Sequence, residues 1–133
     1  MSKINFFALG GLGENGKNLY VLEFRNKETD DIDGIFLLDA GLKYPTDELY
    51  GVDTLLPNIS YIIEHKDKVK AIFLSHGHEE QIGGVLEILK VVSVGVFASH
   101  FTISVFWLPS QLLTWSIIGG MSATRKQTEH QCK

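Results

Sequence analysis

The sequence has little of what marks a secreted, membrane-bound or strongly basic protein. Its single cysteine, Cys132, excludes a disulfide within the chain, which suits a reducing, cytoplasmic compartment. Residues 101–120 are largely apolar and long enough to suggest a membrane span, but Pro109, Gln111 and several hydroxyl side chains interrupt them, so we expect no membrane segment. The net charge of −4 gives no support for a basic, nucleic-acid-binding surface on this domain.

Acidic residues become scarce in the last part of the chain. Residues 1–106 contain 9 Lys+Arg and 15 Asp+Glu, whereas residues 107–133 contain 3 and 1. So abrupt a change in composition predicts a globular part over 1–106 and an unrelated tail over 107–133. A shifted reading frame or an alternative carboxy terminus would produce such a tail. The length of 133 residues allows one small domain.

Hydrophobic patterning predicts an α/β fold. Short apolar or alternating runs indicate five strands, at residues 4–9, 18–24, 34–38, 71–74 and 94–98. Ser60 is a candidate cap for a short helix through Lys66, and apolar residues at three- and four-residue spacing predict one helix over 79–90. Since hairpins come first and a strand-helix-strand unit follows, we expect a mixed β-sheet.

A glycine motif at residues 11–16 (GLGENG) matches the dinucleotide-binding fingerprint, and Asp39 lies at a suitable distance along the chain to hold a ribose. That fingerprint requires a helix that begins within it, so that the helix amino terminus faces the pyrophosphate. The residues that follow, 18–24 (NLYVLEF), have a strand pattern instead. A connection between two strands is therefore favoured, and a Rossmann-type nucleotide site is the weaker alternative.

A histidine pair, His76 and His78, lies where a buried strand ends and a helix begins. Such a position suits metal ligands, because the strand fixes the backbone while Gly77 permits a tight bend between the two imidazoles. Imidazole is a good zinc ligand, and the carboxylates of Glu79 and Glu80 are adjacent. The alternative is an ordinary surface turn with acidic residues at a helix start, and the pair by itself is too short to decide between them.

Four spaced segments carry a resemblance to a known family. They are residues 8–18 (ALGGLGENGKN), 37–45 (LLDAGLKYP), 56–59 (LPNI) and 75–84 (SHGHEEQIGG). The last segment resembles the metallo-β-lactamase signature H-x-H-x-D-H with a glycine pair after it. Together the segments resemble ribonuclease J, of the β-CASP group of that superfamily, up to Phe106. The resemblance implies an incomplete metallo-β-lactamase-type fold with an uncovered apolar face on its sheet.

The resemblance also implies roles for individual residues. His76 and His78 correspond to ligands of a first zinc ion, and Asp39 corresponds to an aspartate that supports the metal-bearing loops. Glu80 stands where the family has the aspartate ligand of a second metal, and Gln81 stands where it has a histidine. The extra methylene of glutamate moves a carboxylate by roughly 1.5 Å, and an amide oxygen is a poor substitute for imidazole at zinc. We therefore expect a degenerate second site.

The function implied by the resemblance is zinc-dependent hydrolysis of RNA phosphodiester bonds in the cytoplasm. The degenerate positions favour an alternative, a non-catalytic RNA-binding or assembly subunit that forms homo-oligomers or associates with a ribonuclease J paralogue. We expect this chain alone to be inactive, because further ligands of the family lie far downstream. The remaining histidines, His65, His100 and His130, are not assigned as ligands.

Overall fold

A computed structural model describes residues 2–45 and 51–110 of the chain. Its centre is a five-stranded sheet in the order β1-β2-β3-β4-β5. The strands are β1 Ser2–Gly10, β2 Leu19–Asn26, β3 Ile32–Leu38, β4 Val69–Phe73 and β5 Gly95–Phe97. The first three strands are antiparallel, and β3, β4 and β5 run parallel to one another. The predicted α/β class and mixed sheet are confirmed, with hairpins first and parallel crossovers second.

Four short α-helices connect or follow the strands. They are α1 Ser60–Glu64, α2 Glu79–Ile82, α3 Val85–Leu89 and α4 His100–Ser110, and a turn of 3-10 helix spans Lys66–Lys68. The prediction that Ser60 caps α1 was wrong, because Ile59 occupies the cap position and makes no side-chain bond there. Instead Asn58 Oδ1 accepts a hydrogen bond of 2.9 Å from the Ser60 backbone N–H.

The hydrophobic core lies between one face of the sheet and the helices. Alternate residues of the central strands are fully buried there: Leu19, Val21, Ile35, Leu37 and Ile72. The helices contribute Ile62, Ile82, Val85, Ile88 and Phe106 to the same cluster. Burying an aliphatic side chain of this size stabilises a fold by about 1.5–3 kcal/mol. This packing fixes β3 and β4 against the helices.

The opposite face of the sheet carries aromatic rings from all five strands, which pack in two groups and are together called the ladder. Ring centroids 5.3–6.0 Å apart join the pairs Phe6–Tyr20, Phe24–Phe36, Phe36–Phe73 and Phe73–Phe97. The terminal rings of the ladder, Phe6 and Phe97, expose 61% and 51% of their surface. This face of the sheet is therefore apolar and partly exposed among the described residues.

The carboxy-terminal part of the described chain is helical. Helix α4 follows β5 and continues to Ser110, four residues beyond the predicted boundary at Phe106. Nowhere in residues 2–45 or 51–110 is a helix long and apolar enough to cross a membrane. The rest of the predicted tail, residues 111–133, lies outside the described residues, and the division at Phe106 stays a prediction.

Candidate metal-binding site at the end of strand β4

The candidate site lies at the edge where two parallel strands end. Strand β3 ends at Leu38 and β4 ends at Phe73, and these two residues are register partners. Asp39 follows the first strand directly, and its backbone N–H donates to Phe73 O at 2.8 Å. Ser75 is the second residue after the end of β4. Carboxyl ends of parallel strands are a frequent location for binding sites in α/β folds.

Asp39 is tied to Ser75 through both carboxylate oxygens. The backbone N–H of Ser75 donates to Asp39 Oδ1 at 2.7 Å, and the Ser75 hydroxyl donates to Oδ2 at 2.9 Å. Asp39 is buried and adopts a left-handed φ of 58°. A non-glycine residue in this region is uncommon and stores strain, which the two hydrogen bonds and the strand contact offset. The sequence-based role of Asp39 as a support for this loop is consistent with this geometry.

The two histidines lie side by side at the surface. The ring centroids of His76 and His78 are 4.7 Å apart, with the rings at 77° to each other. Both side chains are exposed, and the Nδ1 atom of His76 lies 2.9 Å from Ser75 Oγ. The predicted pair is therefore brought together, and it is connected through Ser75 to Asp39. The role of these residues as metal ligands stays a prediction.

The segment after the histidines is docked onto the rest of the site by its backbone. Three successive carbonyls of α2 accept hydrogen bonds from loops that follow β3 and precede β2. The bonds are Leu42 N to Glu79 O at 3.2 Å, Asn18 N to Glu80 O at 3.1 Å and Ala40 N to Gln81 O at 2.6 Å. These three backbone hydrogen bonds hold α2 against the two loops.

The same docking breaks the single helix predicted over 79–90. The Gly84 N–H donates to Ala40 O at 2.7 Å rather than to Glu80 O, which already accepts from Asn18. Helix α2 therefore ends at Ile82 and α3 begins at Val85. The prediction of one continuous helix was wrong, because periodicity cannot report hydrogen bonds to distant loops.

Gly41 allows this close approach. A Cβ atom built at Gly41 would lie 1.6 Å from Glu80 O, a distance that no side chain can occupy. A glycine in a loop is ordinarily explained by backbone freedom, but here the reason is contact between two backbones. The loop after β3 and α2 can therefore pack in this way only if residue 41 has no side chain.

Glu79, which the sequence placed beside the histidines as a carboxylate, is engaged elsewhere. The Tyr44 hydroxyl donates to Glu79 Oε2 at 2.7 Å. This hydrogen bond, with a smaller contribution from burial, raises the pKa of Tyr44. Sequence reasoning missed the Tyr44 contact, because the two residues are 35 positions apart and no local pattern relates them.

The second half of the signature differs from a metal site in its donors. Gln81 Oε1 is buried and has no hydrogen-bond partner among the described residues. The His, Cys, Asp and Glu side chains within 2–45 and 51–110 form no group of three that could hold a metal ion. Two imidazoles suit zinc, but even an open catalytic zinc site takes three protein ligands. The described residues therefore do not fit a complete zinc site.

Two other histidines, His65 and His100, lie within the described residues. His65 follows α1, where its ring packs on Tyr61 and its Nδ1 lies 2.9 Å from Tyr61 O. His100 is the first residue of α4. His130 lies outside the described residues.

The glycine motif forms a connection between antiparallel strands. Residues 11–18 join β1 to β2, so that no helix begins in the motif as a dinucleotide site would require. Glu14 in this loop forms ion pairs with Lys17 at 3.0 Å and Lys43 at 3.2 Å. The hydrogen bond from Lys17 lowers the pKa of Glu14 most, against a smaller effect of burial. Through the ion pair between Glu14 and Lys43, the motif contacts the loop that follows β3.

A model of the metallo-beta-lactamase superfamily matches residues 12–119 of the chain. The chain belongs to the metallo-β-lactamase superfamily. The matched range includes the loop after β3, the histidine pair and the glycine pair between α2 and α3. Membership of this superfamily implies metal ions, commonly zinc.

Within this superfamily the chain is similar to proteins named ribonuclease J2. It is 50% identical over 101 residues to ribonuclease J2 of Bacillus subtilis, which covers 76% of this chain and 17% of the relative. The relative from Streptococcus pyogenes is 50% identical over 103 residues, 77% of this chain and 17% of the relative. A relative from Staphylococcus aureus is 46% identical over 101 residues, 76% and 17% of the two chains. This chain therefore corresponds to about a sixth of the length of these relatives.

Proposed function

We propose that this chain supplies the first metal-ligand loop of a ribonuclease J-type protein, whose family activity is zinc-dependent hydrolysis of RNA. The observation that carries the proposal is the exposed pair His76 and His78 at the end of β4, connected through Ser75 to the buried Asp39. The names of the relatives support RNA as the substrate. In this proposal the two imidazoles provide part of a zinc site, and the remaining ligands come from outside the described residues.

We propose further that the complete protein is a cytoplasmic member of an RNA-decay complex. It would form homo-oligomers or associate with a ribonuclease J paralogue. The single cysteine agrees with a reducing compartment. Co-purification of the complete protein with such a paralogue, resistant to nuclease treatment, is the expected result. Recovery of the paralogue only when RNA is intact would oppose direct association.

A second candidate function is favoured by the residues at positions 80 and 81. The buried Oε1 atom of Gln81 has no donor in the described structure, and Glu80 carries one methylene more than the expected aspartate. Both features favour a subunit that binds RNA or assembles the complex without efficient hydrolysis. A complete protein that cleaved RNA as fast as a paralogue with an intact H-x-H-x-D-H signature would overturn this second candidate.

A restoration experiment tests the metal-site proposal on this chain. The double variant Glu80→Asp with Gln81→His rebuilds the signature, and zinc affinity is measured by calorimetric titration. We expect at least a tenfold gain in affinity over the unmodified chain, because an imidazole and a correctly placed carboxylate join the existing pair. Glu79→Asp is the matched control, since it shortens a neighbouring carboxylate without changing the signature. An equal gain in the control, or no gain in the double variant, would contradict the proposal.

A nuclease assay tests the proposed inactivity of the chain by itself. Labelled single-stranded RNA is incubated with the chain and with a His76→Ala variant in the presence of zinc. We expect no cleavage above background from either protein, because two imidazoles do not form a catalytic zinc site. Cleavage by the chain that disappears in His76→Ala would show that the site is complete and that the proposed inactivity is wrong.

A further inference from the structure

We infer that Ser75 is a positioning residue that keeps His76 in one tautomer, with the proton on Nδ1 and the lone pair on Nε2. The Ser75 hydroxyl lies between two groups, at 2.9 Å from Asp39 Oδ2 and at 2.9 Å from His76 Nδ1. One hydroxyl has a single proton, so it donates to one neighbour and accepts from the other. The direction of this chain of hydrogen bonds decides which nitrogen of His76 is free.

The carboxylate of Asp39 sets that direction. An ionised carboxylate only accepts hydrogen bonds, so the proton of Ser75 Oγ must point towards Asp39 Oδ2. The hydroxyl oxygen then accepts from His76, which places the imidazole proton on Nδ1. Nε2 is left as an unprotonated nitrogen on an exposed ring. Histidines that bind metals commonly donate their other N–H in this way, which fixes the tautomer and the ring orientation.

The surroundings of Asp39 prevent the direction of these hydrogen bonds from reversing. Asp39 is only 9% exposed, so water cannot readily replace a lost donor at Oδ2. Its Oδ1 atom accepts from the Ser75 backbone N–H, and its own N–H is bound to Phe73 O. Rotation of the Ser75 hydroxyl towards His76 would therefore leave a buried carboxylate oxygen unpaired. That cost holds the hydroxyl in the stated direction.

The chain contains an internal reference for the same tautomer. His65 Nδ1 lies 2.9 Å from the backbone oxygen of Tyr61, and a carbonyl oxygen can only accept. His65 therefore also carries its proton on Nδ1, for a reason that does not involve Ser75. A substitution at Ser75 should change the state of His76 and leave His65 as it is.

Nitrogen NMR of the imidazole rings in the metal-free chain tests the inference without any measurement of activity. Spectra are recorded at about pH 9, where histidine side chains are ordinarily neutral. We expect Nε2 of His76 to be unprotonated in the unmodified chain. In Ser75→Ala the proton should redistribute to Nε2, and Ser75→Thr should restore the original state because it retains the hydroxyl. An Nε2-protonated His76 in the unmodified chain would overturn the inference.

Asp39→Asn gives a sharper test, because it should reverse the direction of the hydrogen bonds from residue 39 through Ser75 to His76. The side-chain carbonyl oxygen of the introduced asparagine would keep the bond to the Ser75 N–H, so its amide NH2 group would face the hydroxyl as a donor. Ser75 Oγ would then donate to His76 Nδ1, and His76 would become protonated on Nε2. An unchanged tautomer in Asp39→Asn, with His65 as the reference and a well-dispersed amide spectrum as proof of folding, would show that Asp39 does not set the direction.

The consequence for metal binding rests on the proposed function and is measured separately. If Nε2 of His76 is the ligating nitrogen, Ser75→Ala should weaken zinc binding by about 10- to 100-fold, and Ser75→Thr should recover it. If the tautomer shifts as stated but zinc affinity does not change, the positioning role stands and the proposed metal role of His76 fails. If neither changes, the inference itself is wrong.

Discussion

Two buried carboxylates, Glu23 and Asp39, illustrate two different uses of an acidic residue in one small sheet. Glu23 is 1% exposed on the core face of β2, and its oxygens accept hydrogen bonds from Asn5, Arg25 and Tyr61. Among the described residues, the Asp39 carboxylate accepts from Ser75 alone, and the Ser75 hydroxyl also contacts the exposed imidazole of His76. We call the first the closed network because its carboxylate is buried under three side-chain donors, although Arg25 also pairs with the exposed Asp30. The second network ends at an exposed imidazole.

The closed network is arranged to keep its acid ionised. Burial opposes the charge on Glu23 most, but the hydrogen bonds from Arg25, Tyr61 and Asn5 together outweigh it and lower the pKa of Glu23 to about 2. Burial, and then the bond to Glu23, raise the pKa of Tyr61 to about 12. A satisfied buried network of this kind makes the structure specific and leaves no group free for a ligand. The difference from Asp39 indicates that the Glu23 network is structural, whereas the other network is the one that we propose for binding.

Glu23→Ala should have the largest effect on stability. Removing the carboxylate leaves Tyr61 and Asn5 without their acceptor and Arg25 with Asp30 as its remaining partner. Each unsatisfied buried donor typically costs about 1–3 kcal/mol, so the combined loss should exceed that of the other variants. Urea unfolding, followed by circular dichroism, measures the loss. Glu28→Ala, at an exposed position in the β2–β3 turn, is the control and should change stability by less than about 0.5 kcal/mol. Equal effects of the two variants would show that the closed network is not structural.

Stability should fall in acid through the same residue. Because folding lowers the pKa of Glu23 from 4.5 to about 2, its contribution is complete above about pH 4.5 and is lost as the pH falls towards 2. The loss should be about 3 kcal/mol and should be absent from a Glu23→Gln variant. Tyr61 has a raised pKa, so its contribution is complete below pH 10 and is lost as the pH rises through 12. Urea midpoints measured across pH 2–12 check both limits, and identical acid profiles for the two proteins would contradict the assignment.

Gly41→Ala should have an intermediate effect, because a Cβ atom there would lie 1.6 Å from Glu80 O. Overpacking costs typically about 1–3 kcal/mol, and here it should also displace α2 from the loop after β3. Gly77→Ala is a matched control, since its Cβ would meet its nearest neighbour at an ordinary 3.5 Å. Urea unfolding compares the two variants. A Gly41→Ala protein as stable as Gly77→Ala would mean that the two loops are not in contact as described.

His76→Ala should have the smallest effect on stability, within about 0.5 kcal/mol, because the ring is exposed and is an outer member of its network. Thermal and urea unfolding of the metal-free variant measure this difference. If His76 is a metal ligand as proposed, the same variant should weaken zinc binding while the fold is unchanged. A loss of stability comparable to that of Glu23→Ala would show that His76 contributes to folding as Glu23 does, which contradicts the proposed difference between the two networks.

Much of the fold followed from local patterns. The strands were predicted because apolar residues alternate or run continuously at positions such as 18–24 and 34–38, where one or both faces are buried. The strand pattern after Gly16 correctly indicated a connection between strands rather than a nucleotide site. The histidine pair was recognisable because a short motif at the end of a buried strand fixes its own geometry.

The remaining features depend on contacts between distant residues, which local patterns do not report. Glu23 follows the apolar Leu19 and Val21 at the same two-residue spacing along β2. This pattern did not indicate its hydrogen-bond partners on β1 and α1. The break at Gly84 arises from a bond to Ala40, which is far away along the chain. The link from Asp39 to Ser75 was likewise not predicted. Each depends on which strands become neighbours, a property of the whole sheet.

The most direct test of the central claim is a zinc titration of this chain followed by the imidazole NMR signals of its histidines. The account predicts that the signals of His76 and His78 shift or broaden first and together, while those of His65 and His100 change only at much higher zinc concentrations. Simultaneous changes at His65 and His100, or no change at His76 and His78, would contradict the claim that the network at the end of β4 is the one available for binding.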